Sequence, residues 1–187
     1  MFNTFKGIKI NKGFTVFELL AFIAIGITAV FAVGAIISVN KPYTPATQRE
    51  NWVFYPEPTN YLVDSAEVLI GDEGITLSLK EFDQIAQIAV VTVKTTQPLT
   101  IEEYAIKLAE KWKVGYKGLD NGAILLIAVE DRKLRIEVGR GIEGSLTDIE
   151  AKTIIDKVIV PYLKEGKWDE GVTAGVETIK QEIRIGD

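Results

Sequence analysis

From Leu19 to Val39 the chain runs for 21 residues, LLAFIAIGITAVFAVGAIISV, without a charge. As a helix rising about 1.5 Å per residue, such a run spans the roughly 30 Å hydrocarbon layer of a bilayer. It predicts a single transmembrane helix and separates that segment from whatever follows. The residues ahead of it carry Lys6, Lys9 and Lys12 and no acid, so the positive-inside rule puts the amino end in the cytoplasm. Everything after about residue 40 is then expected in the periplasm or outside the cell. The run exceeds the roughly 7–15 residues of a signal-peptide core, and no A-x-A site follows it, which favours an anchor over a removed signal.

Across the start of this segment stands Lys12-Gly13-Phe14-Thr15-Val16-Phe17-Glu18-Leu19-Leu20. It resembles the processing site of type IV prepilins and pseudopilins, where a short basic leader ends in Gly before Phe, Thr, two apolar residues and Glu. The resemblance implies cleavage after Gly13, methylation of the new amino terminus at Phe14, and a Glu18 that meets the terminal amine of a neighbouring subunit in a filament. A carboxylate near the end of a membrane helix is unfavourable without such a partner. The alternative is a plain anchor whose Glu18 reaches the headgroups. Two features depart from the pilin pattern: Val16-Phe17 replaces Leu-Ile-type residues, and Asn40-Lys41-Pro42 ends the helix early.

The organisation that follows is a basic leader over 1–13, a membrane helix over 14–39, a linker over 40–58 and a globular domain over 59–187. The linker holds Pro42, Pro45, Pro56 and Pro58, four of the chain's six prolines, and is expected to be extended and stiff. Trp52, Phe54 and Tyr55 are expected to pack on the domain, with the membrane interface as the alternative.

Chemistry is narrowed by a double absence: the chain has no cysteine and no histidine. That removes thiol nucleophiles, Ser-His-Asp triads and His or Cys metal sites. A metal would be a hard cation on oxygen ligands, Ca2+ or Mg2+. The formal net charge is −5 even with the leader's lysines counted, so a nucleic-acid partner has no basic patch to rest on.

Within the globular part, Ile88 to Val93 is a β-branched run read as a buried strand. Thr100-x-x-Glu103 is a capping box opening a helix that puts Tyr104, Ala105, Leu108, Ala109 and Trp112 on one face, with Gly115 and Gly118 ending it. Gly122 to Val129 is apolar throughout, as a strand covered on both faces requires. After a turn at Glu130–Lys133, Leu134, Ile136 and Val138 alternate with Arg135 and Glu137, predicting a half-exposed strand hairpinned onto the previous one. Thr147-x-x-Glu150 caps a second helix carrying Ala151, Ile154, Ile155, Val158 and Ile159. A last helix begins near Trp168 and buries Val172, Val176, Ile179 and Ile183. Strand–helix–strand–strand–helix–helix describes a small α/β sandwich.

Gly139-Arg140-Gly141-Ile142-Glu143-Gly144 spells G-x-G-x-x-G between a strand and a helix. A dinucleotide site is not expected here. The preceding strand is amphipathic, no βαβ unit is completed, and Glu143 sits where pyrophosphate would. The glycines instead predict a tight loop with positive φ.

Tyr61-Leu-Val-Asp64-Ser-Ala66, then Leu119-Asp120-Asn121-Gly122 with AILLIAVEDRKLRIEVGRGIEGSLTD, then Ile159-Val-Pro161, together resemble the TPM domain family over about residues 56–185. The resemblance implies a Rossmann-like three-layer α/β/α sandwich, here preceded by the single membrane helix. Its members are typically exported or tethered, and acid phosphatase activity and calcium binding are ascribed to some. One departure stands out: relatives carry a long helix before the first strand, whereas Gly71–Gln87 leaves room for barely three turns, which would open one face of the sheet or leave it for a partner to cover.

If the two central strands are antiparallel, Asp120 lies beside Gly139–Gly144, with Glu143 and Asp148 as neighbours of Asp120 and Asn121. Asp64 matches a family Asp and is expected to join them. These five, Asp64, Asp120, Asn121, Glu143 and Asp148, are the candidate metal ligands for Ca2+ or Mg2+. The functional expectation is a membrane-anchored, extracytoplasmic interaction component, pilin-like or an assembly accessory, partnering the membrane and other proteins or itself. The alternative is a tethered metal-dependent acid phosphatase.

Overall fold

A computed structural model describes residues 53–186. The expectations for Gly13, Phe14, Glu18, the apolar run and Trp52 lie outside the described residues. Among those described, no helix is long and apolar enough to cross a membrane.

Four strands form one mixed sheet in the order β1 (Leu62–Asp64), β2 (Gln87–Val93), β3 (Gly122–Ala128) and β4 (Lys133–Val138). The first three are parallel, and β4 returns antiparallel along β3 from Ala128↔Lys133 to Ala123↔Val138. Every residue of β3 is buried, as its unbroken apolar run requires, while β4 alternates and stays half-exposed. The helices are α1 (Asp72–Phe82), α2 (Ile101–Trp112), α3 (Asp148–Thr153), α4 (Val160–Lys164) and α5 (Trp168–Gly186). β1 is too short to announce itself by periodicity, and it and α1 precede the elements read from the sequence.

Helices cover both faces. One core joins Ile75, Leu79 and Phe82 of α1 and Val172, Val176, Ile179 and Ile183 of α5 to Ile88, Val90, Leu125 and Ile136. The other joins Tyr104, Ala105 and Leu108 of α2 to Ala89, Val91, Ile124 and Leu126. Because β1, β2 and β3 are parallel neighbours in chain order, placing α1 and α2 on opposite faces gives the two crossovers opposite hands. One of them therefore departs from the right-handed rule.

Both capping boxes form: Thr100 and Thr147 accept the backbone N–H of Glu103 and Glu150, whose carboxylates accept in return. α2 ends on Lys113 in the left-handed region at φ 55°, so this residue, ahead of the two expected glycines, closes the helix. Between α3 and α4 the helix widens into a π turn over Ile154–Ile159. Pro161 lies just beyond; it donates no hydrogen bond and its ring crowds the carbonyl one α-turn back, which the wider turn relieves.

The short α1 does not leave a face open. α5 packs against it, and buried Lys180, 6% exposed, donates to Ser78 Oγ at 2.7 Å and Glu177 Oε1 at 2.8 Å. Lys180 and Arg184 also sit over the Phe82 ring, 5.7 and 5.1 Å from its centroid.

Residues 53–58 are held on α2, so the domain begins earlier than residue 59. Tyr104 Oη donates to Phe54 O at 2.6 Å, Trp112 Nε1 donates to Pro56 O at 2.9 Å, and Tyr55 stacks on Tyr104 at 4.7 Å. Lys111 pairs with Glu57 at 3.1 Å. Phe54 itself points outward, 67% exposed, against the expectation that it packs. Burial, with Tyr55 alongside, pushes the Tyr104 phenol well above its ordinary pKa, so it stays a donor throughout the working pH range. Tyr104→Phe is expected to cost about 1 kcal/mol in urea unfolding and to speed proteolytic cutting between residues 53 and 58.

Candidate functional site

The amino end of the sheet carries most of the expected ligands. Asp120 enters β3 in the left-handed region at φ 49°. Its carbonyl accepts the Gly141 N–H at 3.1 Å, which places it beside the glycine loop. None of Gly139, Gly141 and Gly144 has positive φ, contrary to expectation. The first two serve close backbone approach instead. A Cβ on Gly139 would stand 2.1 Å from Asp120 O, and one on Gly141 1.8 Å from Leu119 O, while Gly144 has open space. The G-x-G pair thus seats the loop against the start of β3, a packing role. Gly141→Ala is expected to destabilise by roughly 1–3 kcal/mol. Gly144→Ala should stay within about 1 kcal/mol of the parent, with chemical unfolding reading both.

Asn121 is buried and bonded to the backbone through both polar atoms: its Oδ1 accepts from Tyr116 N at 2.9 Å and its Nδ2 donates to Ile85 O at 2.8 Å. It ties two loops. Glu143 and Asp148 do share a cleft of about 340 Å3 with Arg135 and Glu137, the last two ion-paired at 2.9 Å. Asp64 is elsewhere. It pairs with Thr92, which pairs with Ile127, so it stands at the opposite end of the sheet from Asp120. The five candidates therefore do not converge on one ion, and among the described residues no group of three or more acids is placed to hold a metal.

The carboxyl ends of the parallel strands are where α/β sheets usually bind ligands. Here the carboxylates at that end secure loops. Asp64 accepts the Thr92 hydroxyl and the Leu69 N–H at 2.9 Å, while Thr92 Oγ1 accepts Ala66 N–H at 3.1 Å. Asp169 accepts Ile70 and Gly71 N–H, each at 3.0 Å. Asp131 accepts Thr95 Oγ1 at 2.8 Å, Thr96 N–H at 2.8 Å and Thr96 Oγ1 at 3.0 Å. The turn at Glu130–Lys133 therefore carries a loop-fixing carboxylate. Its partners lie 35 and 36 residues away, a spacing with no local signature.

Desolvation would raise the Asp131 carboxyl, but the Thr96 N–H, the Thr95 and Thr96 hydroxyls and Lys133 together hold it below the ordinary value. A depressed folded pKa contributes stability above the unfolded value, about 3.9, and loses it as pH falls through the folded one. Asp131→Asn should lower stability at pH 7 and shrink the loss between pH 7 and pH 3, measured by urea unfolding at both.

Two further polar groupings escaped the sequence reading. Ser78, Glu177 and Lys180 bring together nucleophile and base types. In a serine–lysine pair the amine accepts the hydroxyl proton, whereas here Nζ donates to Ser78 Oγ and Ser78 donates to Glu177. The trio pins α1 to α5. At the amino end, Tyr116 Oη donates to Asp83 at 2.8 Å. Burial, then Asp83, raises the Tyr61 phenol, whereas the Asp83 hydrogen bond is the main cause for Tyr116.

A family profile described as TPM domain matches residues 62–182. Among solved structures, the chain is similar to the N-terminal domain of a protein from P. gingivalis, at 29% identity and a TM-score of 0.61, over 67% of this chain and 82% of that one. It is also similar to the BA42 protein of the psychrophilic bacterium Bizionia argentinensis, at 20% identity and a TM-score of 0.52, over 69% and 86% of the two chains. The N-terminal domain of the cg2496 protein from Corynebacterium glutamicum is 17% identical with a TM-score of 0.52, over 70% and 86%. At such identities the last two show the fold alone. No curated protein matches.

Proposed function

The chain belongs to the TPM domain family, and from that premise we propose that it is a membrane-anchored, extracytoplasmic interaction component, a reading favoured over a tethered phosphatase. The observation that carries this reading is the use of Asp64, Asp131 and Asp169. At the end of the sheet where α/β enzymes place their chemistry, these carboxylates are spent on backbone N–H groups and threonine hydroxyls. Loops fixed by such hydrogen bonds support reading this end of the sheet as a contact surface. Anchoring rests on the uncharged run from Leu19 to Val39 and its basic leader, and pilin-like processing on Gly13, Phe14 and Glu18.

The absence of native cysteine makes topology directly testable. In intact cells, a Lys117→Cys chain should react with a membrane-impermeant maleimide without lysis; reaction only after lysis places the domain in the cytoplasm. Mass spectrometry of the mature amino terminus is expected to show methyl-Phe14, and an intact Met1 would leave a plain anchor. The full chain with calcium or magnesium should not turn over a phosphomonoester. Turnover that disappears in Asp120→Asn would move the protein to the phosphatase reading.

A further inference from the structure

The outer side of β4 is an open sheet edge, and its phase can be fixed. Gly139 N–H donates to Gly122 O at 2.7 Å, and Val129 N–H donates to Val93 O at 3.0 Å. The second bond turns the odd-numbered residues of β3 toward β2, so its even-numbered residues face β4. With Ile124↔Glu137, Leu126↔Arg135 and Ala128↔Lys133 as partners, alternation turns the N–H and C=O of Leu134, Ile136 and Val138 outward. No hydrogen bond to those groups is present among the described residues. A groove of about 550 Å3 runs along this edge, with Leu134 and Ile136 in its floor and Ala151, Ile155 and Val160 on one wall. The edge of the strand is thus unpaired, and its free backbone groups are a template for another strand.

The side chains say which strand. Place a two-fold axis through Ile136 and lay β4 antiparallel on a second β4. Ile136 then faces Ile136, and Leu134 faces Val138, which are the outward-turned residues and so form bonded pairs. Between them Arg135 of each copy faces Glu137 of the other, and the reverse, on the same side of the sheet. Neighbouring registers do not preserve this: moving the axis to Arg135 or Glu137 still bonds the outward-turned residues but sets like charges opposite one another, and a slip by one residue sets outward-turned residues against inward-turned ones. The intrachain Arg135–Glu137 pair, at 2.9 Å, already holds the two heads on one face, ready to exchange partners.

We propose that two copies of this chain associate through β4, joining their sheets into one across a two-fold axis at Ile136, with Arg135 and Glu137 setting the register. This deepens the interaction reading by naming its partner. The two fail separately, since metal-dependent turnover would remove that reading and leave the pairing standing. The test uses the full chain in its native membrane. Chains bearing Arg135→Cys alone and Glu137→Cys alone are co-expressed and mildly oxidised. A disulfide dimer is expected from the mixture and not from either chain by itself, because only 135 and 137 lie opposite. No dimer from the mixture, or equal dimer from each chain alone, overturns the proposal. In a second arm, Arg135→Glu should weaken self-association in detergent about tenfold, while Arg135→Glu with Glu137→Arg restores it; circular dichroism confirms that each variant is folded. A folded parent that stays monomeric but binds a synthetic Lys-Leu-Arg-Ile-Glu-Val peptide carrying no N-methyl groups, and not its N-methylated form, overturns the dimer and assigns the edge to an extended peptide.

Discussion

Complete burial of β3 is the constraint from which the rest of this domain follows. A strand whose seven residues are all inaccessible must be paired on both edges and covered on both faces. Its edges are met by β2 and β4, and its faces by α2 on one side and the α3–α5 group with α1 on the other. That demand is met here with α1 and α2 on opposite faces, which gives the two crossovers opposite hands. A single helix layer would leave Ala89, Val91, Ile124 and Leu126, or else Val90 and Leu125, in water, at roughly 25 cal/mol per Å2 of apolar surface. Against that, one crossover of the rarer hand is tolerable.

Most of this architecture is legible in the sequence because it is written locally. The two capping boxes, the apolar run of β3, the alternation of β4 and the spacing of Val172, Val176, Ile179 and Ile183 each signal their element within a few residues. β1 escapes because three residues show no period. The π turn escapes because it answers Pro161 and the close seating of Ile159 on Gly175 together, a tertiary coincidence. The glycine loop shows the limit of motif reading: in the fold the spacing serves backbone contact with Leu119 and Asp120.

The candidate site is less legible for a related reason. Asp120 beside the glycine loop follows from strand direction alone. Asp64 does not follow, since deciding which end of the sheet it occupies requires knowing that β1 runs parallel to β2. Asn121 looked like a ligand by composition, yet burial turned both of its polar atoms to the backbone. Asp131 and Thr96 find each other only through the fold, and nothing in the intervening sequence marks the pair.

The docking of residues 53–58 on α2 also has a mechanical meaning. Load arriving along the chain from its amino-terminal side meets this contact before it meets β1. The Tyr104 and Trp112 hydrogen bonds and the Tyr55 ring stack resist it together, over the short stretch from Phe54 to Glu57. Should they yield, the next element along the chain is β1, an edge strand that pulling at its end would peel away one hydrogen bond at a time. The clamp therefore acts as a strain relief, keeping tension on the chain out of the sheet.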